Sequence, residues 1–153
     1  MAKPSDVAWD IAASTGTCFL AAGKHQWPMS AIVRQEEEAI YFFTNAKHAK
    51  IGIIERDGTA QLTFSDHSNN RYLVVDGQAT VSNDRAKIDE LWGPFAKAWF
   101  DDSNNPDIRL IVFKPGAAEY WDGPNSLIAA ARMLMASAVG GPPEMGENAK
   151  TTM

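Results

Sequence analysis

The stretch Phe43-Thr44-Asn45-Ala46-Lys47-His48-Ala49-Lys50 joins an aromatic and β-branched run, Ile40 to Thr44, to a segment of helical spacing, Ala46 to Arg56. Within that segment Ala49, Ile51 and Ile54 fall on neighbouring faces before Asp57-Gly58 stops it. A strand that passes into a short helix and is followed by further strands marks a helix inserted in a β-meander. Thr44 or Asn45 stands where a helix cap is needed, and Lys47, His48 and Lys50 then crowd the first turn. Free backbone N–H groups and the positive end of the helix dipole make a cation unfavourable there by roughly 0.3–1 kcal/mol. An anion seated at that end reverses the cost, so the pattern reads as a phosphate site. The competing reading is a solvated lysine face on a well-capped helix.

Working outward, Thr17 to Ala22 and Trp27 to Val33 are short apolar or β-branched runs, punctuated by Gly23-Lys24-His25 and Gln35-Glu36-Glu37-Glu38. Thr59 to Asp66 and Arg71 to Ser82 alternate as two long strands joined by the polar turn His67-Ser68-Asn69-Asn70, and form the expected sheet centre. Ile108 to Lys114 and Ala117 to Trp121 complete the β portion. Ser5 is placed to cap an N-terminal helix that lids the barrel, and Asp84 caps a helix through Lys87, Ile88, Leu91 and Trp92. A short helical piece, Phe95 to Phe100, follows Gly93-Pro94, and Asn125 opens an Ala- and Met-rich helix that fades near Gly140-Gly141-Pro142-Pro143. The polar segment Glu144 to Met153 is expected to be disordered. The chain is thus expected to be one domain over residues 5–138 with a disordered tail over 139–153. The fold class is mainly β (α+β): a small antiparallel barrel with flanking helices, because closure is how such strands avoid exposed edges. A sandwich is the alternative.

Composition narrows the function classes. The chain has 153 residues, 45% of them hydrophobic, which suits a single core. A formal net charge of -5 argues against a nucleic-acid surface, so any anionic ligand needs a local basic pocket. The lone cysteine, Cys18, sits in the apolar run Cys18-Phe19-Leu20 and reads as core, and a chain with one cysteine and no signal-peptide pattern fits a reducing cytoplasm. No segment approaches the ~20 apolar residues of a membrane span. Asp101-Asp102-Ser103-Asn104-Asn105-Pro106-Asp107 lacks the turn glycine of a calcium loop, His25, His48 and His67 share no zinc spacing, and no serine has a nucleophile-elbow context.

Two further stretches bear on a ligand. In Gln26-Trp27-Pro28-Met29-Ser30, proline suits a strand start or edge, and Trp27 and Met29 supply either a flat apolar wall or plain core. In Ala118-Glu119-Tyr120-Trp121-Asp122, alternation puts Glu119 and Trp121 on one face and Tyr120 on the other. Trp92, Trp99 and Trp121 in the C-terminal half suggest a stacking or dimer surface, or packing between helices and barrel.

Taken in order, these stretches resemble the FMN-binding split barrels, and especially the general stress proteins related to pyridoxamine 5'-phosphate oxidase. The resemblance spans roughly Trp9 to Pro124. It is carried by Trp27-Pro28-Met29, where the family usually has Arg-Pro-Met, by Phe43-Thr44 with Lys50, where it has Phe-Thr followed by Ser-x-Lys, and by Tyr72-Leu73-Val74-Val75-Asp76-Gly77-Gln78-Ala79. Asp84, Glu90-Leu91-Trp92, Trp99-Phe100, Asp107 and Ala118-Glu119-Tyr120-Trp121-Asp122 continue it. The resemblance implies a split β-barrel of the FMN-binding type and a homodimer with FMN, or FAD, at the subunit interface. Trp27, Pro28, Met29 and Ser30 would then line the isoalloxazine and ribityl chain, Phe43 would lie beside them, Thr44, Lys47, His48 and Lys50 would hold the phosphate, and Tyr72 and Trp121 would reach the flavin of the other subunit.

Three departures qualify what it implies. Trp27 replaces a flavin-contacting arginine, and His48 replaces a serine. The run Asn125-Ser126-Leu127-Ile128 lacks the Arg-x-His element with which the oxidases grip pyridoxal phosphate, so oxidation of pyridoxamine phosphate is not expected. The expected function is a flavin-dependent oxidoreductase with a small-molecule redox partner. The alternative is a non-catalytic stress protein that holds flavin or another flat ligand such as haem.

Overall fold

In the computed structural model, residues 2–143 and 146–153 are described. The strands are β1 (Thr17–Ala22), β2 (His25–Ser30), β3 (Ile32–Arg34), β4 (Ala39–Asn45), β5 (Thr59–Asp66), β6 (Arg71–Ser82), β7 (Ile108–Asp122) and β8 (Glu147–Thr152). The helices are α1 (Pro4–Thr15), α2 (Ala49–Arg56), α3 (Arg85–Leu91), α4 (Pro94–Trp99) and α5 (Ser126–Val139). All strand pairings are antiparallel, in the order β2-β1-β5-β6-β7-β4-β3, with β8 added to β7. The strands at the two ends of that order, β2 and β3, are separated in the chain only by Ala31, whose N–H donates to Gly16 O at 2.7 Å. The sheet therefore curls until its edges are joined by the chain itself, a split barrel with flanking helices.

β7 serves three partners. It pairs β6 along its length, β4 through Ile108–Phe113 and β8 through Ala117–Asp122. Between Val75/Ala118 and Gly77/Pro115 the β7 side carries one residue more than the β6 side, a bulge that bends the strand from one wall of the barrel to the next. The sequence places a break at Lys114-Pro115-Gly116-Ala117. The break is this bulge, where proline is tolerated because the ladder is already interrupted.

Alternation sorts the β-strands onto two cores. Leu20, Ile40, Phe42, Leu62, Phe64, Leu73, Val75, Ile111, Phe113 and Tyr120 fill the barrel, and α1 adds Ala8, Trp9, Ile11 and Ala12 to it. The opposite face of β4 and β7 packs Ala39, Tyr41, Ile108 and Leu110 against Ile88 and Leu91 of α3 and against Phe100. β4 is thus buried on both faces, which is why Ile40 to Thr44 reads as a continuous apolar run instead of an alternating one. Lys87 joins the second cluster from outside. It lies over the Tyr41 ring and pairs with Glu37 and Glu90, and these contacts lower the Glu37 pKa and raise that of Lys87.

Several expectations need correcting. The tail over 139–153 is not disordered in its last part: Glu147–Thr152 is a strand paired with Ala117–Asp122, and Tyr120 Oη donates to Glu147 Oε1 at 2.9 Å. A polar strand forms there because an edge strand with one solvated face needs few apolar side chains; Glu144 and Met145 lie outside the described residues. Ser5 does not cap α1; Pro4 occupies its first turn and Lys3 precedes it without a side-chain cap bond. Asp84 and Asn125 do cap α3 and α5.

Because β8 covers an edge of β7 and supplies the acceptor for a fully buried tyrosine, removing residues 146–153 is expected to lower stability by about 2 kcal/mol or more, from lost pairing and the orphaned Tyr120 hydroxyl. Urea unfolding of the shortened chain measures this.

Candidate functional site

The end of β4 and the start of α2 meet in a tight turn. Ala46 N–H donates to Asp107 O at 2.7 Å, Asn45 Oδ1 accepts from Lys47 N–H at 2.8 Å, and His48 N–H donates to Asn45 O at 3.0 Å. These bonds delay the helix by three residues relative to the expected start at Ala46. The helix cap is therefore His48, whose Nδ1 accepts the Lys50 N–H at 3.0 Å, and not Thr44 or Asn45. Lys47 falls outside the helix. It is 80% exposed and reaches Asp107 at 3.5 Å, so it does not crowd the first turn as expected. Lys50 alone of the two lysines stands in that turn.

Lys50 is 7% exposed. Its Nζ touches Met29 Sδ at 3.2 Å and lies 5.6 Å from the centre of the Trp27 ring, and no carboxylate pairs with it among the described residues. A thioether and an indole face are weak partners for an ammonium ion. Burial accordingly holds the Lys50 pKa below its ordinary value. His48 is also held below its ordinary value, first by burial and second by the Lys50 charge.

Lys50 opens into a cleft of about 700 Å³, a size that suits a small ligand. Pro28, Met29 and Ser30 of β2 form one side, Phe43 and Thr44 at the end of β4 another, and His48 beside the Lys50 ammonium the polar end. Thr44 is buried, on the same face of β4 as the barrel residues Ile40 and Phe42. Trp27 does not line the cleft. It stands behind it, edge-on to His48 at 6.1 Å and stacked on His25 at 5.7 Å. Tyr72 and Trp121 are cross-strand neighbours on the outer face of β6 and β7 and do not line the cleft of their own chain. Among the expected site residues, the structure thus brings together Pro28, Met29, Ser30, Phe43, Thr44, His48 and Lys50, and leaves Trp27, Lys47, Tyr72 and Trp121 outside.

The opposite wall comes from α4 and the end of α3, through Leu91, Gly93, Pro94, Phe95, Trp99 and Phe100. The sequence offers Trp99 as part of a stacking or dimer surface but does not place this wall at the cleft. Its one signal is the pair Phe95 and Trp99 on a short helix; they are 77% and 83% exposed, which core packing does not require. A second depression of about 810 Å³ lies over the β7 bulge and is the larger of the two. It is open to solvent, and its charged groups hold hydrogen bonds to neutral partners, Asp57 to Thr59 N–H at 2.9 Å, Asp76 to Gln61 at 2.9 Å and Lys114 to Glu37 O at 3.3 Å. Among the described residues no cluster of His, Cys, Asp and Glu could hold a metal, and no helix is long and apolar enough to cross a membrane.

A family profile described as "Pyridoxamine 5'-phosphate oxidase like" matches residues 4–144, nearly the whole chain. The chain belongs to this family. Among solved structures, a protein assigned as general stress protein 26 from Jannaschia sp. CCS1 is similar over 100% of both chains, at 26% identity and a TM-score of 0.82. The general stress FMN/FAD binding protein from Xanthomonas citri covers 74% of this chain and 84% of its own, at 25% identity and a TM-score of 0.66. The general stress protein 26 from Bacillus anthracis str. Sterne covers 75% and 91%, at 20% identity and a TM-score of 0.67, and supports the fold. No curated protein matches the chain in sequence.

An uncompensated buried ammonium is a cost in the ligand-free protein of this family member. Lys50→Met keeps the stem and removes the charge. It is expected to raise stability by about 1 kcal/mol, which thermal unfolding measures.

Proposed function

We propose that the cleft binds a flavin through its phosphate, with FMN as the cofactor, and that the protein is a flavin-dependent oxidoreductase of the general stress type. The observation that carries this reading is the buried Lys50 ammonium, which faces the cleft with no carboxylate partner among the described residues. A phosphate monoester supplies the missing charge, and the Thr44 hydroxyl adds a donor beside it. The Xanthomonas citri relative, named for FMN/FAD binding, supports the same cofactor class.

The residues present fit such a group. Lys50 and His48 would hold the phosphate, and Pro28, Met29 and Phe43 would give the ring system an apolar bed. When bound, the flavin supplies the hydride and electron chemistry. The chain's own contribution is to orient the phosphate end through Lys50 and to exclude water with Phe43 and Met29. His48 and Lys50 are the only titratable side chains lining the cleft among the described residues, and both are committed to the anion. That supports a second reading, a stress protein that holds flavin without turnover of its own. A cytoplasmic setting agrees with the free Cys18, whose burial pushes its thiol up to about 12 and leaves it inert.

We further propose a homodimer. Phe19 and Trp121 stand exposed on the outer sheet face, and α5 carries Leu127, Met133, Leu134, Met135 and Val139 uncovered. Exposed large apolar side chains in this number suit a subunit interface. In a two-fold dimer Tyr72 and Trp121 would complete the partner's cleft.

Titrating FMN into the protein should quench flavin fluorescence with saturation at one flavin per chain, and Lys50→Ala should weaken binding by at least about tenfold, the worth of a charge-assisted contact. Unchanged affinity in that variant, or no binding to the parent, removes the phosphate assignment. Bleaching of the bound flavin by NADH or NADPH separates the oxidoreductase from the non-catalytic reading.

A dimer is expected by light scattering, and Trp121→Glu should shift it toward monomer and lower flavin occupancy together. A monomeric parent, or a dimeric variant with full occupancy, contradicts the interfacial arrangement.

A further inference from the structure

α2 is capped by a titratable side chain, where Ser, Thr, Asp or Asn usually stands. His48 Nδ1 accepts the Lys50 N–H at 3.0 Å, and an imidazole nitrogen that accepts a hydrogen bond carries no proton. The ring is therefore neutral with its one proton on Nε2. His48 lines the cleft, and no described residue accepts from Nε2. The groups around it are few. Trp27 of β2 stands edge-on at 6.1 Å, with His25 stacked on the far side of that indole at 5.7 Å. Lys50 is in the first turn of the same helix, while Lys47, next in the chain, is turned toward Asp107 at 3.5 Å. Among the described residues no carboxylate pairs with the ring, and Asp107 is engaged by Lys47.

We propose that His48 holds the ligand's phosphate as a neutral Nε2–H donor, and that protonating this histidine weakens the site instead of strengthening it. The proposal rests on the phosphate reading above and names the residue that sets its pH dependence. A second proton can enter only at Nδ1, where the Lys50 N–H already sits. Two donors then face each other, the cap is lost, and the ring must turn, which withdraws Nε2 from the cleft. The first turn that carries Lys50 loosens with it. Simple electrostatics predicts the reverse, tighter phosphate binding by an imidazolium; that gain is opposed here by the nearby Lys50 ammonium.

The direction of the His48 shift agrees with this arrangement. Its folded pKa lies below the ordinary 6.5, so the unfolded chain binds the proton more readily. The stabilisation by the neutral cap is then complete above about 6.5 and is lost as the pH falls through the depressed folded value.

The test compares FMN affinity of the parent and of His48→Asn between about pH 7.5 and about pH 5, a window that brackets the ordinary imidazole pKa. Asparagine keeps an acceptor for the cap and a donor for the phosphate but does not titrate. The second ionisation of the FMN phosphate, near pKa ~6, affects both proteins alike and cancels in the ratio of their dissociation constants. On acidification the parent is expected to weaken relative to the variant by about tenfold, from loss of the cap and of one donor. A flat ratio, or a parent that tightens relative to the variant, overturns the proposal. Should the asparagine variant not fold, His48→Ser makes the same comparison, because a hydroxyl both accepts and donates. Nitrogen NMR of the His48 ring in the ligand-free parent near pH 7.5 gives an independent reading: an unprotonated Nδ1 is expected, and a protonated one overturns the proposal whatever binds. If FMN binds neither protein at any pH in the window, the phosphate reading itself has failed and the proposal falls with it, a result distinct from binding with a flat ratio.

Discussion

Strand β7 cannot satisfy β4, β6 and β8 at once unless it bends, and the bulge at Pro115-Gly116-Ala117 is where it does so. Before the bulge its free edge takes β4; after it, the same edge takes β8. This division fixes the end of β4 against the start of β7, with Asn45 opposite Ile108. The turn that follows β4 is then anchored to the loop before β7 by the Ala46 to Asp107 hydrogen bond. The cationic end of the cleft is thus positioned by a strand bend far along the sequence. At Gly77, facing the bulge, an added Cβ would collide with the Lys114 carbonyl oxygen and the Phe113 ring, so glycine is required by close approach and not by its dihedral freedom.

The cleft places unlike surfaces end to end. Lys50 is withdrawn from solvent between Met29 and the Trp27 ring, whereas Phe95 and Trp99 at the opposite wall stand free in solvent. A ligand that is anionic at one end and flat and apolar along its body relieves both costs. Neither end alone defines that chemistry: a buried lysine calls for an anion of any kind, and exposed aromatics call for any apolar cover. Their joint presence in one cleft restricts the ligand far more than either.

The β-strands were legible because alternation reports burial directly; β1, β5 and β6 have the bounds that their apolar periodicity implies. Thr44 and Lys50 were legible through the strand-to-helix junction, and Met29 beside them only through the resemblance to the family. What the sequence concealed depends on side-chain hydrogen bonds that have no periodic signature. Asn45 can cap a helix or close an Asx-type turn, and only the Asp107 carbonyl on Ala46 decides for the turn, which moves the cap to His48 and turns Lys47 outward. β8 was hidden for another reason. The polar pattern of Glu147–Thr152 reads like a solvated tail, and its pairing is fixed by the edge that β7 leaves open and by the Tyr120 hydroxyl.

The excursion that carries α5 leaves the sheet at Asp122 and returns at Glu147, and these two residues are cross-strand partners. Its ends are therefore pinned about 5 Å apart by the ladder, whatever lies between them. Such a segment behaves as a cassette: doubling its length costs only about 0.6 kcal/mol of closure entropy, so lineages can lengthen, shorten or rewrite it while the barrel and the cleft keep their geometry.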